Sequence, residues 1–122
     1  LANESYWAKG VARSKVEASI NGSLCFGVYH KDAQVGFARA VTDFATVAYI
    51  ADVFVLEKYR EQGLGKWTIE CILKYPAFQD LRRIMLLTAT AQDFYAQYGF
   101  ITTEAHKLYD YMEKVNPKRF EN

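Results

Sequence analysis

The stretch VFVLEKYREQGLGKW, residues 53–67, passes from an apolar run through a charged corner into two glycines and the start of a helical pattern. Val53, Phe54, Val55 and Leu56 close the run TVAYIADVFVLE at 46–57, which is apolar on both parities, as a central strand covered on both faces should be. From Leu64 onward the period changes: Trp67, Cys71, Ile72 and Tyr75 recur at the spacing of one helix face that stops at Pro76. Two glycines between a strand and a helix let the backbone approach a bound group, and the first helical turn leaves N–H groups to receive an anion. GLG alone is also what a plain tight turn looks like, so its surroundings must decide.

Working outward, residues 11–20 carry Val11, Ala12, Val16 and Ile20 at near-helical spacing, and NGS at 21–23 supplies a stop. LCFGVYH and QVGFARAV are strand-like and joined by the polar KDA, as in a hairpin. After the central strand and its helix comes RIMLLTA at 83–89, a short buried strand. AQDFYAQY then reads as a helix closed by Gly99, and LYDYMEKV at 108–115 alternates like a final antiparallel strand. The predicted order is helix, three strands, helix, strand, helix, strand: an α/β chain of the α+β type, with a mixed, mostly antiparallel sheet flanked by helices.

Bulk properties narrow the function classes. The 122 residues suit a single domain over 1–122, and 51% hydrophobic with 24% charged residues is the composition of a folding chain. A formal net charge of +1 provides no basic field for a nucleic-acid backbone. The longest apolar stretch, residues 47–56, contains Asp52 and falls well short of the ~20 residues that a membrane span needs. No signal-peptide pattern opens the chain, and Cys25 and Cys71 form no framework, so a cytoplasmic setting is expected. His30 and His106 are isolated, so no metal is expected either.

Two phosphate motifs fail on inspection. A Walker A loop needs glycine at Arg60 and Ser or Thr at Trp67, and a dinucleotide fingerprint needs a third glycine at Thr68. What remains is REQGLG, residues 60–65, of the form [RQ]xxGx[GA], followed after a further strand by FYAQYGF at 94–100. This pairing resembles the GNAT superfamily of N-acetyltransferases, over a region from about Ser23 to the final strand. SYWAKG followed by a helix and LCFGVY is similar to small bacterial members of that superfamily. Members usually begin with a further strand and helix, and too few residues precede Trp7 to supply them, so part of the acceptor wall is expected either to be missing from this chain or to be obtained another way.

The resemblance implies an acetyl-CoA-dependent transfer of an acetyl group to an amine by direct attack in a ternary complex. It places the cofactor's pyrophosphate on the amides of Gln62, Gly63, Leu64, Gly65 and Lys66, with Lys58, Arg60 and Lys66 adding charge, and the pantetheine arm along residues 53–56. The oxyanion donor would be the amide of Phe54 or Val55. Tyr95 would be the general acid for the departing thiolate, with Thr90, Ala91 and Gln92 near the adenosine end. A core role on a short helix is the competing reading of Tyr95, and the accepted one for Phe94 and Tyr98.

On simple alternation Asp52 shares a strand face with Ile50, Phe54 and Leu56, and a carboxylate against an apolar wall would make a stronger proton acceptor. It is the first candidate base; Glu57 is the reserve, and an Asp bonded to a neighbouring loop is the plain alternative. Cys71 is expected on the buried helix stripe, and Tyr6 with Trp7 is either an acceptor-pocket pair or a hydrophobic staple. A catalytically inactive CoA-binding sensor or scaffold is the second function class. The acceptor amine stays open between a small molecule, an amino acid, a peptide N-terminus and a lysine side chain, and a homodimer is compatible with the sequence.

Overall fold

Strands β1 (Leu24–His30), β2 (Ala33–Thr42) and β3 (Val47–Val55) follow one another as an antiparallel meander, with β4 (Arg83–Leu86) beside β3 and parallel to it. This computed structural model describes residues 13–106 and 110–118. The first turn is Lys31 and Asp32, with Lys31 left-handed at φ 55°. The second is closed by Asp43, whose carboxylate accepts from Thr46 Oγ1 at 2.6 Å and from the N–H groups of Thr46, Ala45 and Val47. Those bonds, led by the Thr46 hydroxyl, hold the Asp43 carboxyl well below the usual carboxylate range.

A parallel neighbour needs a crossover, and α2 (Leu64–Leu73) supplies it between β3 and β4. The helix packs against β1 and β3. Its buried residues are Thr68, Ile69 and Ile72, over a sheet face that includes the small, fully buried Ala38, Ala40 and Ala48 together with Val28 and Ile50. Thr68 can lie there because its hydroxyl donates back to the Leu64 carbonyl at 2.6 Å. The expected stripe is rotated from the observed one: Trp67 is 53% exposed and Cys71 is exposed, so neither belongs to the core. Tyr75 closes the helix end on the same side, its ring edge-on to Phe26 at 5.8 Å and tilted against Phe78 at 5.2 Å.

Helix α1 (Arg13–Asn21) ends where the NGS signal placed its stop, with Gly22 N–H donating to the Ala18 carbonyl. It buries none of its residues. Among the described residues, those up to Leu86 form one compact unit and those from Leu87 onward a second. The second holds α3 (Gln92–Ala96), closed by Gly99 at φ 92°, and α4 (Thr103–His106). The final strand expected at 108–115 is not observed: residues 110–116 adopt no strand and all are exposed. Alternation marks a strand only where one parity finds a covering face, and here neither does. Residues 108 and 109 of that segment, and Tyr6 and Trp7, lie outside the described residues.

Candidate functional site

The loop between β3 and α2 is built by local bonds. Leu56 N–H donates to the Val35 carbonyl at 2.8 Å, Tyr59 and Arg60 donate to Leu56 and Glu57 in a single 3-10 turn, and the chain then passes through two left-handed residues, Glu61 at φ 65° and Gly63 at φ 78°. Gly63 is the N-cap of α2 and offers no side-chain cap; the first helical bond is Trp67 N–H to the Gly63 carbonyl at 2.9 Å. The N–H groups of Leu64, Gly65 and Lys66 thus stand at the helix start with no preceding turn to accept them. A Cβ placed on Gly63 or on Gly65 would meet no atom within 4 Å. The backbone is open there, which is what an anion approaching these amides requires.

Of the five residues expected to form the cradle, Gln62, Gly63, Leu64, Gly65 and Lys66 are all at this corner, and Gln62, Gly63 and Lys66 are exposed. Two of the three flanking cations have partners within the loop. Arg60 folds back so that Nε donates to the Val55 carbonyl at 2.8 Å, and the Lys58 ammonium lies 5.2 Å from the centre of the Tyr59 ring, which is itself 5.6 Å from the centre of the His30 ring. Both brace the loop.

Strand β3 carries a bulge that simple alternation cannot show. Ala51 stands opposite Arg39 and Phe54 opposite Phe37, so Asp52 and Val53 together face the single residue Ala38, and Asp52 sits at φ 55°. One extra residue switches the parity of everything beyond it. Ile50 and Val55, opposite Ala40 and Gly36, therefore share the α2 face, and Phe54 lies on the other with Ala51. The expected grouping of Asp52 with Ile50, Phe54 and Leu56 is corrected accordingly. The carboxylate is paired rather than set against apolar groups alone: Arg39 Nε donates to Asp52 Oδ2 at 2.5 Å, with the two side chains 17% and 21% exposed.

The same geometry sorts the two strand amides. Leu56 N–H and the Phe54 carbonyl are directed toward β2, the latter 3.1 Å from where a Gly36 Cβ would stand. Successive residues of a strand alternate their main-chain polar groups, so Val55 turns its N–H away from β2. Among the described residues of this unit no strand pairs with that side, because the pairing of β3 with β4 ends at Ile50 with Leu86. Phe54, expected as an equal candidate, has its main chain committed to β2.

In the second unit Tyr95 is half-buried, its ring edge-on to Phe94 at 5.0 Å and to Phe100 at 5.8 Å. Burial pushes its phenol above the ordinary tyrosine value. Gln92 Nε2 donates to the Ala89 carbonyl, and Thr90 is exposed. Thr88, which the sequence reading passed over, accepts the Ala91 N–H at 3.0 Å and so sets the start of α3. A Thr three residues before the Ala91 position was the signal available. Among the described residues no group of three or more His, Cys, Asp or Glu is placed to hold a metal ion.

A sequence model described as an acetyltransferase (GNAT) domain matches residues 21–102, most of the chain. The chain belongs to the GNAT acetyltransferase family. A solved structure from Xanthomonas campestris pv. campestris, assigned to the GNAT family, is 37% identical and superimposes with a TM-score of 0.87, covering 100% of this chain and 84% of that one. A GNAT family acetyltransferase of Streptococcus pneumoniae is 26% identical with a TM-score of 0.76, over 92% and 86% of the two chains. The N-acetyltransferase ycf52 of Gracilaria tenuistipitata is 34% identical over 84 residues, 68% of this chain. The match covers only 46% of that relative, and 58% and 26% of curated relatives from Gibberella zeae and Arabidopsis thaliana. The GNAT match runs across the division at Leu86, from β1 through α3.

Proposed function

We propose that this chain is an acetyl-CoA-dependent N-acetyltransferase that moves an acetyl group to an amine by direct attack in a ternary complex. The observation that carries the reading is the open corner at Gly63 to Lys66: a left-handed glycine N-cap, no side-chain cap, and nothing within 4 Å of either glycine's Cβ position, directly after a strand with an open edge. These residues fit a pyrophosphate, which needs converging N–H donors and close backbone approach. Acetyl-CoA, when bound, supplies the activated thioester.

The chain's own groups do the remaining tasks. The N–H groups of Gly63, Leu64, Gly65 and Lys66 hold the diphosphate, and Val55 N–H faces the arm that runs along β3, where it is the donor for a developing oxyanion. Tyr95, a phenol that is protonated at neutral pH by its ordinary acidity and whose burial raises its pKa further, gives a proton to the departing thiolate, with Thr90 and Gln92 beside the nucleotide end. Asp52 is not carried forward as base, since Arg39 occupies Oδ2. Glu57, exposed just beyond β3, is the carboxylate open to the ammonium's proton. A single GNAT-like domain over residues 1–122 is supported by a family match that includes residues of both units. Cys25 and Cys71, both free and exposed, suit a reducing, cytoplasmic setting.

The test is release of CoA thiol from acetyl-CoA in the presence of a panel of amines: small polyamines, amino acids and peptides. Turnover with at least one class is expected. A panel with no turnover above the amine-free rate, by a protein that still binds CoA, would favour a sensor or scaffold instead.

A further inference from the structure

The bulge in β3 is held by side chains that the proposed chemistry leaves unused. Asp52 keeps a left-handed backbone, φ 55°, that costs an L residue energy and therefore needs support. Support comes from Arg39 on β2: Nε donates to Asp52 Oδ2, and Nη1 donates to Ser23 Oγ at 2.9 Å. Ser23 Oγ in turn donates to the Ser19 carbonyl at 2.7 Å. The rigid guanidinium fork thus links the bulge of β3 across β2 to the end of α1.

What this linkage controls is which main-chain group faces the open edge. Upstream of Asp52 the strand runs in one parity and downstream in the other, as the pairs Ile50 with Ala40 and Val55 with Gly36 show. Were the extra residue ironed out, the register would slip by one, and Phe54 rather than Val55 would turn its N–H to the edge. We propose that Arg39 is a positioning residue for acetyl transfer, which through Asp52 holds the β3 bulge and so aims the Val55 N–H at the reacting carbonyl. Asp52 then acts through the backbone, not as a proton acceptor. The inference rests on β3 being the edge along which the cofactor lies.

The pyrophosphate corner is built by other residues, so the linkage should separate turnover from affinity. In Arg39→Met, kcat per folded molecule is expected to fall ~10-fold to 100-fold, the worth of a misplacement of about 1 Å, while CoA affinity by calorimetry stays within about threefold. Arg39→Lys, which keeps the charge and one donor, should recover part of kcat and guards against a misfolded Met variant. Asp52→Asn still accepts from Arg39 and should keep the wild-type pH profile of kcat/KM, with a smaller loss of rate than Arg39→Met. Amide hydrogen exchange at Val55 should quicken in Arg39→Met. An Arg39→Met enzyme with kcat within threefold of wild type, or an Asp52→Asn enzyme that has lost the acid limb of its pH profile, would overturn the proposal. Wild-type protein that binds no CoA would instead remove the cofactor reading, and this inference with it.

Discussion

Arg60 reaches back across the corner that it opens and donates from Nε to the carbonyl of Val55 at 2.8 Å. A cation expected beside the cofactor's phosphates is thereby a strut between the last residue of β3 and the loop leading to α2. The bond occupies the Val55 carbonyl and leaves its N–H to the open edge. Replacing Arg60 with Met should cost about 1 kcal/mol of stability and raise the Kd for CoA only ~5-fold in calorimetry. A loss of affinity above ~100-fold would mean that the guanidinium contacts the phosphates directly.

The glycines of the corner do different things, and two variants separate them. Gly65 has open space around its Cβ position and no positive φ, so Gly65→Asp should leave thermal stability nearly unchanged while its carboxylate, at the helix start, repels the diphosphate. CoA binding should disappear from the calorimetric trace. Gly63→Ala meets nothing either but must hold φ 78°, so it should lower stability by about 1–2 kcal/mol in urea unfolding and weaken binding less.

Gly36 tests the packing behind the site. A Cβ there would come within 3.1 Å of both the Phe54 carbonyl oxygen and Val28 Cβ, two groups that cannot withdraw without moving strands. Gly36→Ala should therefore destabilise the protein by about 1–3 kcal/mol in urea unfolding.

The Asp43 turn sets one limb of the pH dependence of stability. Its carboxyl titrates below the unfolded value, because Thr46 Oγ1 and three N–H groups bond the anion. The folded state therefore holds the anion more tightly than the unfolded state does; the contribution is complete above the unfolded pKa of about 3.9 and is lost as pH falls below it. Asp43→Asn should melt lower than wild type at pH 7 and converge with it at the acid end of a series of melts.

Tyr95→Phe keeps the ring against Phe94 and Phe100 and removes only the hydroxyl. If the phenol protonates the thiolate, kcat should fall by ~10²-fold to 10⁴-fold with KM for acetyl-CoA little changed. A purely structural hydroxyl would instead cost about 1 kcal/mol of stability and leave turnover per folded molecule within threefold.

The meander, the crossover helix and the glycine corner were legible in the residues because each is written locally: a run, a period change and a pair of glycines. Where the reading missed, the cause lay across strands. Trp67 and Cys71 fit an apolar helical period, but Thr68 bonds its own helix and Ile69 and Ile72 take the sheet, so the buried face lies elsewhere. The bulge at Asp52 depends on Arg39 and Ala38 of a neighbouring strand, which nothing between Val47 and Val55 announces. The alternating residues 110–115 look like a strand, yet all are exposed. The proposed cradle does not depend on that parity, because backbone N–H groups define it.

The central claim is that a CoA diphosphate sits on the amides at the start of α2. The most direct measurement is a titration of ¹⁵N-labelled protein with CoA, following every backbone amide by NMR. The account predicts that the largest shifts fall on Gly63, Leu64, Gly65 and Lys66, with Val55 moving as the arm occupies the edge of β3. Saturating CoA that leaves those amides in place, or moves others instead, would contradict it.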